Sequence, residues 1–208
     1  MSSKNLFTQA TEEAIKNLQA VKENQDLIQG FEQAVDMIVE SLQKGGTLLV
    51  AGNGGSAADA QHLVAELVVK LNQNRDPLRA IALTVDSSIL TATGNDFSYD
   101  DIFSRQVEAL ARPGDVFLGI TTSGNSPNIL KSFVACKKTG AKSILLSGKD
   151  GGRAVKESMA DINLIMNGPN TARIQEGHAV LYHTLCYALE KRLVDSGYIK
   201  YRLSLIHI

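Results

Sequence analysis

The stretch TLLVAGNGGSAADAQHLVAELVVK, Thr47 to Lys70, decides how the rest of the chain is read. Leu48 to Ala51 is an apolar run of a length suited to a strand covered on both faces. Gly52, Asn53, Gly54 and Gly55 follow, a turn whose glycines admit backbone angles closed to other residues. Ser56 is then expected to cap a helix, with Asp59 in its electropositive first turn. Amides that point outward from a turn at a helix start form an anion site, and phosphate is the usual anion. The same helix carries His62 and Glu66 four residues apart, hence on one face. Lys70 is expected to continue that face.

Working outward, the pattern repeats. Further strands are expected at Ala80–Val85, Val116–Thr121, Ser143–Ser147 and Ile162–Ile165, with helices between them at Ile102–Ala111 and Ser126–Lys138. Apolar strands that alternate with helices predict an α/β fold with a doubly wound, five-stranded parallel sheet. A long last helix is expected from near Thr171 to about Val194. Ahead of the first strand, Leu27, Phe31, Ala34, Val35, Ile38 and Leu42 recur at helical spacing, so residues from about 6 to 42 read as two helices. Those helices are not needed to cover the sheet and are expected at a subunit interface. No repeat or long linker divides the chain. It reads as one domain over residues 1–197, with helices in 1–44 and an α/β core in 45–197, followed by a tail of unassigned role in 198–208.

Composition narrows the function. The chain has 208 residues and a formal net charge of −1, which gives no bulk electrostatic reason to bind nucleic acid or an anionic membrane. No apolar run approaches the roughly 18–20 residues of a membrane span. The first twenty residues contain no apolar core of a secretory signal, so a cytoplasmic location is expected. Cys136 and Cys186 fall in predicted helices and read as buried free thiols.

The first glycine loop alone also fits a dinucleotide fingerprint, with Gly52, Gly54, Ala57 and then Asp86 at the end of the second strand. A second loop shifts the balance. Thr121, Thr122, Ser123, Gly124, Asn125 and Ser126 follow the third strand and lead into a helix. Such a hydroxyl-rich loop holds a phosphomonoester by many neutral donors, and both loops fall on the carboxyl edge of the sheet, where ligands bind. Asn95 and Asp96 either cap a following helix or hydrogen-bond sugar hydroxyls near that edge. On the last helix, His178 and His183 are five residues apart, about 140° around the axis, so at most one of them serves the site.

Taken together, GNGGSAADAQH-x-x-x-E, the GND at 94–96, TSGNS at 122–126, L-x-G-K-D-G-G ending at Gly152 and A-R-I-Q-E-x-H-x-x-x-x-H ending at His183 resemble the phosphoheptose isomerases of the sugar isomerase (SIS) fold, a flavodoxin-like architecture. The resemblance covers about residues 5 to 195. It implies an aldose–ketose isomerase that converts sedoheptulose 7-phosphate to D-glycero-D-manno-heptose 7-phosphate for bacterial surface polysaccharide. It also implies a homotetramer with shared active sites. By position, Ser56, Thr121, Thr122, Ser123 and Ser126 would hold the phosphate, and Asn53, Gly54, Gly55, Asn95, Asp96 and Gln175 would line the sugar. Glu66 would be the general base and His183 the general acid, and His62, Glu66, Gln175 and His183 would bind one zinc ion per subunit. The family often has Arg where this chain has Lys70. The alternatives are a non-catalytic relative, which binds the replication initiator DnaA, a sugar-phosphate-sensing SIS module, and a nicotinamide dehydrogenase, which would need a substrate domain that this length does not comfortably supply. In the DnaA-binding relative the H-x-x-x-E carboxylate is missing, so Glu66 and His183 argue for chemistry.

Overall fold

The computed structural model of the chain describes residues 2–202. Among them five strands, β1 (Leu48–Gly52), β2 (Ala80–Ala82), β3 (Val116–Thr121), β4 (Lys142–Gly148) and β5 (Ile162–Met166), form one sheet in the order β2-β1-β3-β4-β5. Every pairing is parallel; Leu48 lies opposite Ala80 on one side and Val116 on the other. The chain therefore leaves β1 toward one edge and returns at β3 to build toward the other. The carboxyl ends of β1 and β3 flank that switch point, where open α/β sheets open a crevice.

Parallel strands buried on both faces need apolar side chains at odd and even positions alike. Leu48, Val50, Val116, Leu118, Ile120, Ile144, Leu146, Leu164 and Met166 pack on one face against α2 (Gln25–Gln43), α3 (Gly55–Val68) and α8 (Thr171–Asp195). Leu49, Ala51, Phe117 and Leu145 pack on the other against α5 (Ser104–Leu110), α6 (Pro127–Thr139) and the short α7 (Gly152–Lys156). Helices thus cover both faces.

The strands match their expected positions to within a residue or two, except β2. It stops at Ala82 rather than Val85, because this edge strand pairs only with β1. The chain then turns at Asp86, whose carboxylate accepts from the amide of Ile89 and caps α4 (Ser87–Asp96). That helix was not expected. Asn95 and Asp96 lie in its last turn and cap nothing downstream; Ser98 caps the 3₁₀ turn Tyr99–Asp101 instead. Cys136 and Cys186 are buried free thiols, as expected.

The expectation for the leading helices needs correction in part. α2 is required to cover the sheet: Ala34, Val35, Ile38 and Leu42 are buried against β-strand side chains and α8. It takes the place a crossover helix would otherwise fill. α1 (Ser3–Lys22) behaves differently, for Asn17 is its one buried residue, while Leu6, Phe7 and Ile15 are exposed. At the other end, Ile199 is buried in the core, the Tyr198 hydroxyl donates to the Leu42 carbonyl, and Tyr201 bridges Arg75. The first part of the tail is thus packed, and residues 203–208 lie outside the described residues.

Candidate active site

Gly54 takes the N-cap position of α3 with φ +57°, so Ser56 lies inside the first turn and is not the cap expected from sequence. Ser56 is buried at the mouth of the helix and lines a cavity of about 350 Å³ with Asn53, Gly55, Thr121, Thr122, Ser126, Thr171 and Gln175. The N-terminal ends of α3, α6 and α8 converge on this cavity, bringing three positive helix ends to one place. Ser126 stands at the N-cap of α6 yet makes no capping bond; its Oγ lies 3.0 Å from Thr121 Oγ1 instead. Hydroxyl donors therefore face the cavity rather than their own helix. That is the arrangement a phosphomonoester needs when no Lys or Arg lines the wall.

The loop after β3 is held from behind. The amide of Ala154 donates to the Gly124 carbonyl, and the amide of Arg153 to Asn125 Oδ1. A side chain at Gly124 would strike the backbone of Gly151, so the Gly151-Gly152 pair and Gly124 allow the two loops to touch. Ser123 faces its own loop, its Oγ accepting from the amide of Asn125 at 3.3 Å, and does not line the cavity. The Asn53 amide is engaged too. It exchanges hydrogen bonds of 2.8 and 2.9 Å with Asn128 and accepts one from the Tyr99 hydroxyl at 3.2 Å. Asn95 and Asp96 bond to each other on the exposed end of α4 and do not line the cavity.

Two to three turns along α3 lies a second cluster. Ligand atoms of His62, Glu66 and His183 lie within 4.8 Å of one another. His62 Nε2 is 3.0 Å from Glu66 Oε1, and Nδ1 of the same ring is 3.1 Å from the Tyr182 hydroxyl. Nδ1 of His183 donates to the Ala179 carbonyl at 2.8 Å, which leaves its Nε2 lone pair free. Burial pushes the Tyr182 phenol up to about 12. Burial also raises the Asp59 carboxyl, against the pull of His62 and His183, and Asp59 Oδ2 is buried without a hydrogen-bond partner. The donor set of two imidazoles and one carboxylate, beside an orphaned carboxylate oxygen, suits a divalent metal such as zinc with an open coordination position. Gln175 sits elsewhere, its Nε2 pressed against Gly55 in the cavity wall. His178 is also outside the cluster, buried with Nε2 donating to the Ser147 carbonyl. Lys70 does not continue the His62–Glu66 face, because α3 ends at Val68 and Lys70 lies exposed beyond it.

A family model described as "SIS domain" matches residues 11–148. A phosphoheptose isomerase from Sulfurimonas denitrificans is 44% identical over 179 residues, covering 86% of this chain and 91% of that relative. One from Paramagnetospirillum magneticum is 53% identical over 160 residues, 77% and 82% of the two chains. The chain belongs to the phosphoheptose isomerase family. Among solved structures, the phosphoheptose isomerase from Francisella tularensis aligns at 36% identity with a TM-score of 0.87, over 92% of this chain and all of that one. The phosphoheptose isomerase GmhA from Neisseria gonorrhoeae aligns at 38% identity with a TM-score of 0.84.

Within this member of the phosphoheptose isomerase family, four residues of the site were not read from sequence as site residues. Thr171 follows Asn170, whose side chain caps α8, and that Asn-Thr pair is a signal for a helix start. Asp59 reads as a first-turn acid until its burial is known. Tyr182 and Arg75 give no local signal. Arg75 donates to the carbonyls of Glu66 at 2.7 Å and Leu67 at 2.8 Å, and to Glu190 Oε2 at 3.1 Å, tying the end of α3 to α8.

Proposed function

We propose that this protein isomerises sedoheptulose 7-phosphate to D-glycero-D-manno-heptose 7-phosphate through a cis-enediol, in heptose synthesis for bacterial surface polysaccharide. The observation that carries the reading is the pairing of a hydroxyl-lined cavity at three helix N-termini with a histidine–carboxylate cluster on two of those helices, α3 and α8. Ser56, Thr121, Thr122 and Ser126 take the phosphate, and Asn53, Gly54, Gly55 and Gln175 the sugar. Pinning the phosphate converts remote binding energy into orientation of C1 and C2.

Glu66 removes a proton from C1 of the ketose, and the electrons of that bond become the C1–C2 double bond as the C2 oxygen gains a proton. Returning a proton to C2 while the C1 hydroxyl loses one gives the aldose. His183 serves the oxygens when no metal occupies its Nε2: Nδ1 is held by the Ala179 carbonyl, so Nε2 is the atom that carries the exchanging proton. His62, Glu66 and His183 would hold zinc. When bound, the ion would supply Lewis-acid stabilisation of enediolate oxygens.

Ser56 and Glu66 are ten residues apart on α3, about 15 Å along the axis. A seven-carbon chain built from bonds of about 1.5 Å is shorter than that even when extended. The reading therefore includes a homotetramer in which one subunit's cavity faces another's cluster. The exposed Leu6, Phe7 and Ile15 of α1 and Val180 and Tyr187 of α8 offer apolar surface for assembly. Among the described residues no helix is long and apolar enough to cross a membrane, in keeping with a cytoplasmic enzyme.

The test is to incubate the purified protein with sedoheptulose 7-phosphate and follow aldoheptose phosphate by ¹³C NMR. Recovery of unchanged ketose, from protein shown to bind it, would leave a sensor rather than an isomerase.

A further inference from the structure

Both ring nitrogens of His62 are engaged, and by groups of different kinds. Glu66 Oε1, 3.0 Å from Nε2, is a carboxylate oxygen that only accepts when ionised. In the neutral imidazole Nε2 therefore carries the hydrogen, and Nδ1 presents a lone pair. The group facing Nδ1, at 3.1 Å, is the Tyr182 hydroxyl, which donates there. A metal ion on Nε2 reverses this, because coordination uses the Nε2 lone pair and moves the hydrogen to Nδ1. Nδ1 then needs an acceptor. A backbone carbonyl or a carboxylate at the position of Tyr182 would serve the second state only, and an amide or ammonium donor the first only. A hydroxyl serves both by rotating its hydrogen.

The surroundings hold that hydroxyl in place. Tyr182 is buried, and its ring packs edge-on to His62 with centroids 5.6 Å apart and at 4.5 Å from the His183 ring. Its one hydrogen-bond partner among the described contacts is His62.

We infer that Tyr182 is a positioning residue that fixes the His62 imbalance of donor and acceptor in both states, donating to Nδ1 in the metal-free protein and accepting from Nδ1–H when His62 turns Nε2 to a divalent cation. The inference rests on the reading that His62, Glu66 and His183 hold zinc. It goes further by assigning the residue that keeps the imidazole oriented while its tautomer changes.

Tyr182→Phe keeps the ring and removes only the hydroxyl. Zinc affinity, measured by competition with a chromophoric chelator, is expected to fall about 10- to 100-fold. In metal-free protein with ¹⁵N-labelled histidine, His62 of the unsubstituted chain is expected as the Nε2–H tautomer, switching to Nδ1–H on zinc addition. In Tyr182→Phe the metal-free His62 signals are expected to move toward a tautomer mixture, while the thermal midpoint stays close to that of the unsubstituted chain. Equal zinc affinity together with unchanged His62 shifts in Tyr182→Phe overturns the role of Tyr182 and leaves the zinc site intact. Failure of the unsubstituted chain to bind zinc overturns the zinc reading and this inference with it.

Discussion

Arg75→Met should be the most damaging substitution outside the reacting groups. The Arg75 and Glu190 side chains are 1% and 3% exposed, so the variant strands the Glu190 carboxylate in the interior. It also frees the carbonyls of Glu66, Leu67 and Asp76, to which the guanidinium donates at 2.7–2.9 Å. Removing one member of a buried ion pair costs about 3–5 kcal/mol. For a chain of this size each kcal/mol lowers Tm by about 2–4 °C, so the expected loss is about 6–20 °C. Because Arg75 ties the last turn of α3 to α8, Glu66 and His183 should lose their relative placement as well. Arg75→Met/Glu190→Leu removes the stranded charge and should recover most of the stability, which a double-mutant cycle by urea denaturation measures. Arg75→Lys should not rescue the loss, since an ammonium cannot fork to a carboxylate and three carbonyls at once. An Arg75→Met protein within about 1 kcal/mol of the unsubstituted chain would refute the clamp.

Two further outcomes are expected. Ser126→Asp keeps a good N-cap residue but places a carboxylate in the hydroxyl-lined cavity, and Glu66→Gln removes the proposed base; each variant alone should be inactive, whereas subunits mixed by dissociation and reassembly should regain activity if cavity and base come from different chains. No recovery after verified mixing would confine each site to one chain. Burial pushes His178 down to about 4, so the folded state keeps it neutral while the unfolded chain protonates near 6.5. Its contribution is therefore complete above pH 6.5 and is lost as pH falls through about 4, amounting to about 3 kcal/mol across that window. His178→Gln should flatten that part of a urea-midpoint profile against pH, and an unchanged slope would contradict the assignment.

The parallel sheet was legible because strands buried on both faces read as unbroken apolar runs, as at Leu48–Ala51 and Val116–Thr121. The cavity was legible because its groups sit in two loops and at one helix start, each with its own local signal. α4 was missed because SSILTATGND carries weak helical periodicity and its start is marked only by Asp86, which also suited a ribose-binding acid. α2 was assigned outward because sequence shows that a helix has an apolar face but not what lies beneath it. Ser56 was misread as a cap since Gly54, one turn-forming glycine among several, takes that position through its positive φ. Tyr182 and Arg75 escaped for a different reason. The His62 partner of Tyr182 lies 120 residues away and the Glu190 partner of Arg75 115 residues away, and such pairings exist only once α3 and α8 are packed together.

The most direct test of the account is Glu66→Gln, because this carboxylate is assigned the carbon proton transfer and lies apart from the phosphate cavity. Turnover of sedoheptulose 7-phosphate should fall by at least about 10²-fold while its Kd, measured by calorimetry, changes little. A Glu66→Gln enzyme that turns over at the unsubstituted rate would contradict the assignment of the base and, with it, the mechanism built on the His62–Glu66–His183 cluster.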